Sequence, residues 1–334
     1  MDNLSLIEKL DQAVSVLLAS STAPATSADT ELDSLLRIAV ELRDLPRDEF
    51  RTQLRNELEG KTNMATTAAA EVEVTGKVNP IREGFRTVTP YIAVRKVHEV
   101  IDFVKTVFDA EGQIYGIGSE GGLHSEFRIG ESMLMIGGGE GRKAADNPVA
   151  LHVYVPNTDE VYERALQAGA TSLMAPADQE YGERSAAFVD PGGNYWYPAT
   201  AHGANYIAEG AQNLMPYLHP RGAAKEIDFL KQAFAAEEMF RYASPEGIVY
   251  HAKMKVGTSV VEMGDAHGEW QPEMTSMFML YVDDVDAWYE RALQAEGAVK
   301  VSEPADQPYG DRVGAVKDPF ENIWYIASHI ADVM

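Results

Sequence analysis

Two stretches decide the fold: DQEYGER at 178–184 followed by DPGGNYWY at 190–197, and DQPYGDR at 306–312 followed by DPFENIWY at 318–325. Both pairs keep a constant offset of 128 residues, Asp178 to Asp306 and Asp190 to Asp318. Chance similarity does not hold register over about twenty residues, so the chain carries an internal duplication. The repeat extends upstream, where Tyr162–Ala168 recurs as Tyr289–Ala295. Working outward, each repeat reads as strand, helix and three strands, written twice. In the first half, strands are expected over 87–94, 112–117, 121–129 and 132–137, with a helix over 96–109. The pattern restarts with a strand at 150–155, a helix at 158–168 and strands over 171–175, 184–189 and 194–199. The second half repeats this over 213–331.

The remainder of the chain is different in texture. Leu4, Ile7, Leu10, Val14 and Leu17 recur at helical spacing, and further helices are expected over 30–44 and from Pro46 to about Gly60. The domain plan is a helical N-terminal segment (1–62), a linker (63–83), a first domain (84–203) and a second (213–331). Residues 61–82 show no sustained period and read as a connector.

Composition narrows the function. The 334 residues carry 52 acidic against 28 basic side chains, a net charge of −24, which argues against nucleic-acid and anionic membrane partners. The absence of cysteine removes disulfides, thiolate nucleophiles and sulfur-ligated metals. No apolar run of about 18 residues exists, and a cytoplasmic location is expected.

Paired β-α-β-β-β modules with a Gly-Asp-Arg-like turn and an Asp-Pro-x-x-Asn-x-Trp ending resemble the vicinal oxygen chelate superfamily. That group holds glyoxalase I, bleomycin- and fosfomycin-resistance proteins and extradiol dioxygenases. Ile227-Asp228-Phe229, Val256-Gly257 and Tyr309–Arg312 are similar to its branch named after 3-demethylubiquinone-9 methyltransferase. The resemblance implies an α+β fold: two tandem domains, each a pair of modules curling a mixed sheet into a cleft, with helices outside. Metal-dependent members place a ligand in the first and last strand of each module. Carried over, those positions are Thr89, Met135, Ala150 and Tyr197, then Met215, Glu262, Met277 and Tyr325. Only Glu262 suits a divalent cation, so no cofactor is expected, and a metal would need ligands from elsewhere.

Period-two alternation gives the cleft faces independently. His124, Glu126 and Arg128 lie opposite an apolar face, as do His251, Lys253 and Lys255. His152 and Tyr154 face the cleft from their strand, and Met277, Met279 and Tyr281 from the equivalent one. His124, His251 and Glu262 are the candidates for acid–base catalysis. Tyr91, His152, Tyr181, Arg184, Tyr197, Tyr217, Met277, Tyr281, Tyr309, Arg312 and Tyr325 are the candidates for ligand binding. Arg184 and Arg312 either bind an anionic group or pair with nearby carboxylates. Trp196 and Trp324 fall on the helix-facing side as core anchors, and Gly137–Gly141 reads as a flap.

The expected function is binding of a small, partly apolar or aromatic molecule without the usual metal-ligand set. Two alternatives stand beside it. One is a metal-dependent lyase, isomerase or dioxygenase using Glu262 and His251. The other is an interaction protein acting through its N-terminal helices, and self-association into a homodimer is a further option.

Overall fold

The computed structural model describes residues 78–117, 122–140 and 146–332. The expected helices over 1–62, most of the linker, and the end of the glycine-rich flap lie outside the described residues. The chain divides after Thr75, and the described residues all belong to the unit Gly76–Met334.

Four β-α-β-β-β modules follow one another. The first is β1 (Val88–Val94), α1 (Val97–Phe108), β2 (Glu111–Ile117), β3 (Leu123–Ile129) and β4 (Ser132–Gly138). The second is β5 (Ala150–Tyr154), α2 (Thr158–Gln167), β6 (Thr171–Gln179), β7 (Glu183–Val189) and β8 (Tyr195–Ala201). The third is β9 (Leu214–Leu218), α3 (Ala223–Phe234), β10 (Glu237–Ala243), β11 (Val249–Val256) and β12 (Ser259–Met263). The fourth is β13 (Met277–Tyr281), α4 (Val285–Gln294), β14 (Val299–Asp306), β15 (Asp311–Lys317) and β16 (Ile323–His329). Gly137 and Gly138, expected in the flap, instead complete β4. Local sequence explains the helix boundaries. Asn157 and Asp284 cap α2 and α4 by accepting from Glu160 N and Ala287 N at 3.3 and 3.0 Å. α1 and α3 end on left-handed residues, Asp109 and Ala235.

The repeated Asp-Pro-x-x-Asn-x-Trp ending is a turn tied to an anchor. Asp190 accepts from Trp196 Nε1 at 2.9 Å and from Asn194 Nδ2 at 2.8 Å. Asp318 makes the same bonds to Trp324 and Asn322, at 2.9 and 2.8 Å. Both tryptophans are wholly buried. The carboxylate satisfies the indole N–H, which lets the ring enter the core without an orphaned donor.

The modules form two eight-stranded mixed sheets, but the partners are not sequence neighbours. One sheet runs β14-β15-β16-β13-β1-β4-β3-β2, joining the first module to the fourth. The other runs β10-β11-β12-β9-β5-β8-β7-β6, joining the third to the second. The seams are antiparallel, β1 on β13 (Thr89 opposite Met279) and β5 on β9 (His152 opposite Met215). Each sequence half nevertheless builds its own helix-side core. Residues of α1 and α2 pack with Phe188 and Trp196, and residues of α3 and α4 pack with Phe278 and Trp324. The expectation that each half closes its own cleft is therefore corrected: each cleft takes one module from each half. Among the described residues no helix is long and apolar enough to cross a membrane.

One core position is asymmetric. Glu226 on α3 is completely buried, and neither carboxylate oxygen has a hydrogen-bond partner. Burial and the neighbouring Asp318 carboxylate push its pKa well up. An acid whose folded-state pKa is raised favours folding only below its unfolded value near 4.5, and that contribution is lost as pH rises. Glu226→Met is therefore expected to raise stability by about 1–3 kcal/mol. In thermal melts from pH 5 to pH 8, its gain over the parent chain should widen with pH.

Candidate functional site

Strand alternation points one face of each sheet away from the helices, and the parallel pairs in the middle fix which side chains meet there. Tyr91 lies in register with Met135, Met279 with Tyr325, His152 with Tyr197, and Tyr217 with Glu262. The first-strand positions carried over from the family resemblance, Thr89, Ala150, Met215 and Met277, lie two residues before Tyr91, His152, Tyr217 and Met279 on the same strands, and Thr89 and Met215 sit across the seams from Met279 and His152.

The cleft of the first and fourth modules encloses about 520 Å³. Its walls are Tyr91, Met135, Met277, Met279, Tyr281 and Tyr325, with Tyr309 reaching over from the turn before β15. Polar groups are few and already organised. The Tyr91 hydroxyl lies 3.0 Å from His124 Nδ1, and His124 Nε2 lies 3.4 Å from Glu126 Oε1. Arg82 grips the same carboxylate with two nitrogens, Nη2 at 3.0 Å from Oε2. Burial alone would raise the pKa of Glu126, but His124 and Arg82 hold it below the ordinary carboxylate value. On the other wall, the Tyr281 hydroxyl donates to Asp311 Oδ2 at 3.1 Å, and Asp311 Oδ1 lies 2.8 Å from His329 Nδ1. Burial and the Asp311 charge keep Tyr281 protonated.

The cleft of the second and third modules repeats this frame with different contents. The Tyr217 hydroxyl lies 3.1 Å from His251 Nδ1, as Tyr91 does from His124. Tyr154 donates to Glu183, as Tyr281 does to Asp311. The two methionines Met135 and Met279 are exchanged for Glu262 and His152. His152 Nδ1 donates to Glu262 Oε2 at 2.7 Å, and Glu262 is fully buried. Glu262 Oε1 has no hydrogen bond but lies 3.0 Å from Lys253 Nζ and 3.9 Å from His251 Nε2. Burial opposes the charge on Glu262, yet His152, Lys253 and His251 together hold its pKa far below the ordinary value. Burial likewise opposes a charged His152, and the Glu262 carboxylate overcomes it, raising the imidazole pKa. His251 goes the other way, pushed down by burial that Glu262 only partly offsets. Tyr181 is mostly exposed, and Tyr197 donates to Trp270 O at 2.9 Å. His219 beside it is pushed down to about 3 by burial. Residues 265–273 thus lie against this cleft through the Tyr197 bond and a contact of 3.1 Å between His219 Nδ1 and Pro272 O.

Two expected ligand contacts are elsewhere. Arg184 forks onto Asp159 and reaches Asp178, and Arg312 binds Asp286 at 2.7 and 2.8 Å and Asp306 at 2.8 Å. Both lie on the helix-facing parity of their strands, so the ion-pair alternative describes them. Their neighbours Glu183 and Asp311 supply the cleft-facing charge instead. Glu126 and Lys253, which alternation places on the cleft face without assigning a role, anchor the charge balance of the two clefts. Arg82 has no sequence signal, since it falls in the stretch that reads as a connector.

The donors at the in-register positions of the second cleft are already engaged. Of the four in-register positions in the second cleft, two are the tyrosines Tyr197 and Tyr217. The other two, His152 and Glu262, are bonded to each other. Among the described residues no group of three or more His, Asp or Glu side chains is arranged to hold a metal ion.

A pair of tandem module sets with strand-lined clefts is the architecture of a known class. The family profile of the Glyoxalase/Bleomycin resistance protein/Dioxygenase superfamily matches residues 85–197 and 221–326, and the chain belongs to that superfamily. It is 36% identical over 130 residues to an uncharacterized protein of Mycobacterium bovis, covering 36% of this chain and 85% of the relative. An uncharacterized protein of Mycobacterium tuberculosis matches equally, with 76% of its length covered. Glyoxalase I from Zea mays superposes with a TM-score of 0.57 at 13% identity, over 73% of this chain and 92% of the maize chain. That likeness is one of fold.

The His152–Glu262 pair makes a signed prediction. In the parent chain, stability from the raised His152 pKa is complete below about 6.5 and is lost as pH rises through the folded value. In Glu262→Gln, His152 must enter the fold neutral, which costs most where the unfolded imidazole is charged. Denaturant titration should show a loss of about 3–5 kcal/mol at pH 5.5 and a smaller one at pH 8.5.

Proposed function

We propose that the chain binds a small, partly apolar or aromatic molecule in the cleft between its first and fourth modules, without a metal. The observation that carries this is the cavity of about 520 Å³ walled by methionines and tyrosines. Small-molecule sites commonly fall in this volume range, mostly apolar with a few oriented polar groups. Methionine side chains adapt their shape, which suits a family of related ligands. The Tyr91–His124 pair supplies a hydroxyl and an imidazole at one side, and Arg82 and Asp311 contribute charge that is already paired. Tyr309, more than half exposed, is placed to cover a bound ring.

The aromatic fluorophore 1-anilinonaphthalene-8-sulfonate serves as a probe of this cleft. The parent chain is expected to bind one equivalent saturably. Met135→Trp, which fills the cavity floor, should weaken binding by about tenfold or more while leaving the melting temperature within a few degrees. Unchanged binding in that variant contradicts the assignment.

A further inference from the structure

In the second cleft a lysine stands at the carboxylate where a metal ion would be sought. Lys253 projects from β11, opposite Glu262 on β12, and its ammonium lies 3.0 Å from the carboxylate oxygen that lacks a hydrogen bond. Glu262 is wholly buried, whereas the Lys253 side chain remains about a quarter exposed. An ammonium carries three N–H donors. Among the described residues its ion-pair partner is Glu262 alone, so donors remain for a further oxygen. His152 Nδ1 is used on Glu262, and its Nε2 lies 3.8 Å from Glu183 Oε2, beyond hydrogen-bonding reach. Two carboxylates, Glu262 and Glu183, are thus balanced by Lys253 and His152. The walls above them are aromatic: the rings of Tyr197 and Tyr217 are 5.4 Å apart.

We propose that Lys253 is the resident cation of the second cleft and that this cleft is a separate site for a small aromatic molecule bearing a carboxylate or carbonyl oxygen. The ammonium receives the oxygen, and the tyrosine rings receive the aromatic body. Glu262 acts as a positioning residue that keeps both cations in place. The first cleft lacks this device, because Met135 and Met279 occupy the places of Glu262 and His152 and Glu126 the place of Lys253. The two clefts of one chain therefore select for different ligand polarity.

Benzoate is the probe, titrated by calorimetry into full-length protein in the Met135→Trp background, so that the first cleft is filled and the two sites are read separately. Saturable binding is expected. Lys253→Met should weaken it at least about tenfold, the value of one charge-assisted hydrogen bond. Lys253→Arg, which keeps the charge, should retain saturable binding and so controls for folding. Manganese(II) titrated into the parent chain should give no saturable heat. The proposal is overturned by absence of saturable benzoate binding, by equal binding in Lys253→Met, by loss of binding in Lys253→Arg, or by manganese binding that Glu262→Gln abolishes.

Discussion

The contact between His152 and Glu262 depends on the way the sheets are joined. β5 and β12 belong to different halves of the chain, and they come together only because β9 lies between them. A fully buried carboxylate is strongly unfavourable unless it is paired and hydrogen-bonded. Here it meets an imidazole at 2.7 Å and an ammonium at 3.0 Å. The pair therefore requires the second and third modules to share one sheet, and it penalises arrangements that separate them. The other sheet, with β1 on β13 at its seam, carries methionines at the two matching positions, Met135 and Met279.

Duplication has kept the frame and changed the contents. The tyrosine–histidine contacts recur at 3.0 and 3.1 Å, and the tyrosine–carboxylate contacts recur as Tyr281–Asp311 and Tyr154–Glu183. The buried Asp-Asn-Trp anchors recur on the helix side with matching bonds. These are the interactions that hold strands and turns in place. At the centre of each cleft the chain differs instead, with two methionines on one side and a histidine–glutamate pair on the other. The charged pair lies at the centre of one cleft, and in the other the ion pair of Arg82 and Glu126 lies beside the methionines.

Much of this is legible in the sequence. The offset of 128 residues reveals the modules, and alternation places His124, Glu126, His251 and Lys253 on the cleft face. It also puts Trp196 and Trp324 in the core. What alternation cannot give is the partner of each edge strand, since four similar modules can pair in more than one way. Arg184 and Arg312 carry the stronger anion-binding signal in sequence, while the residues one step away, Glu183 and Asp311, face the cleft. Arg82 is illegible because its role rests on a contact 44 residues distant.

The difference between the two clefts turns on whether Glu262 is neutralised from within by an imidazolium. Long-range nitrogen–proton correlation spectra of the histidine side chains, followed through a pH titration, measure this directly. His152 is expected to keep both ring protons to higher pH than an ordinary imidazole, while His251 and His219 lose theirs at lower pH. A His152 that loses its second proton no later than His251 would contradict the internal charge balance on which the distinction between the two clefts rests.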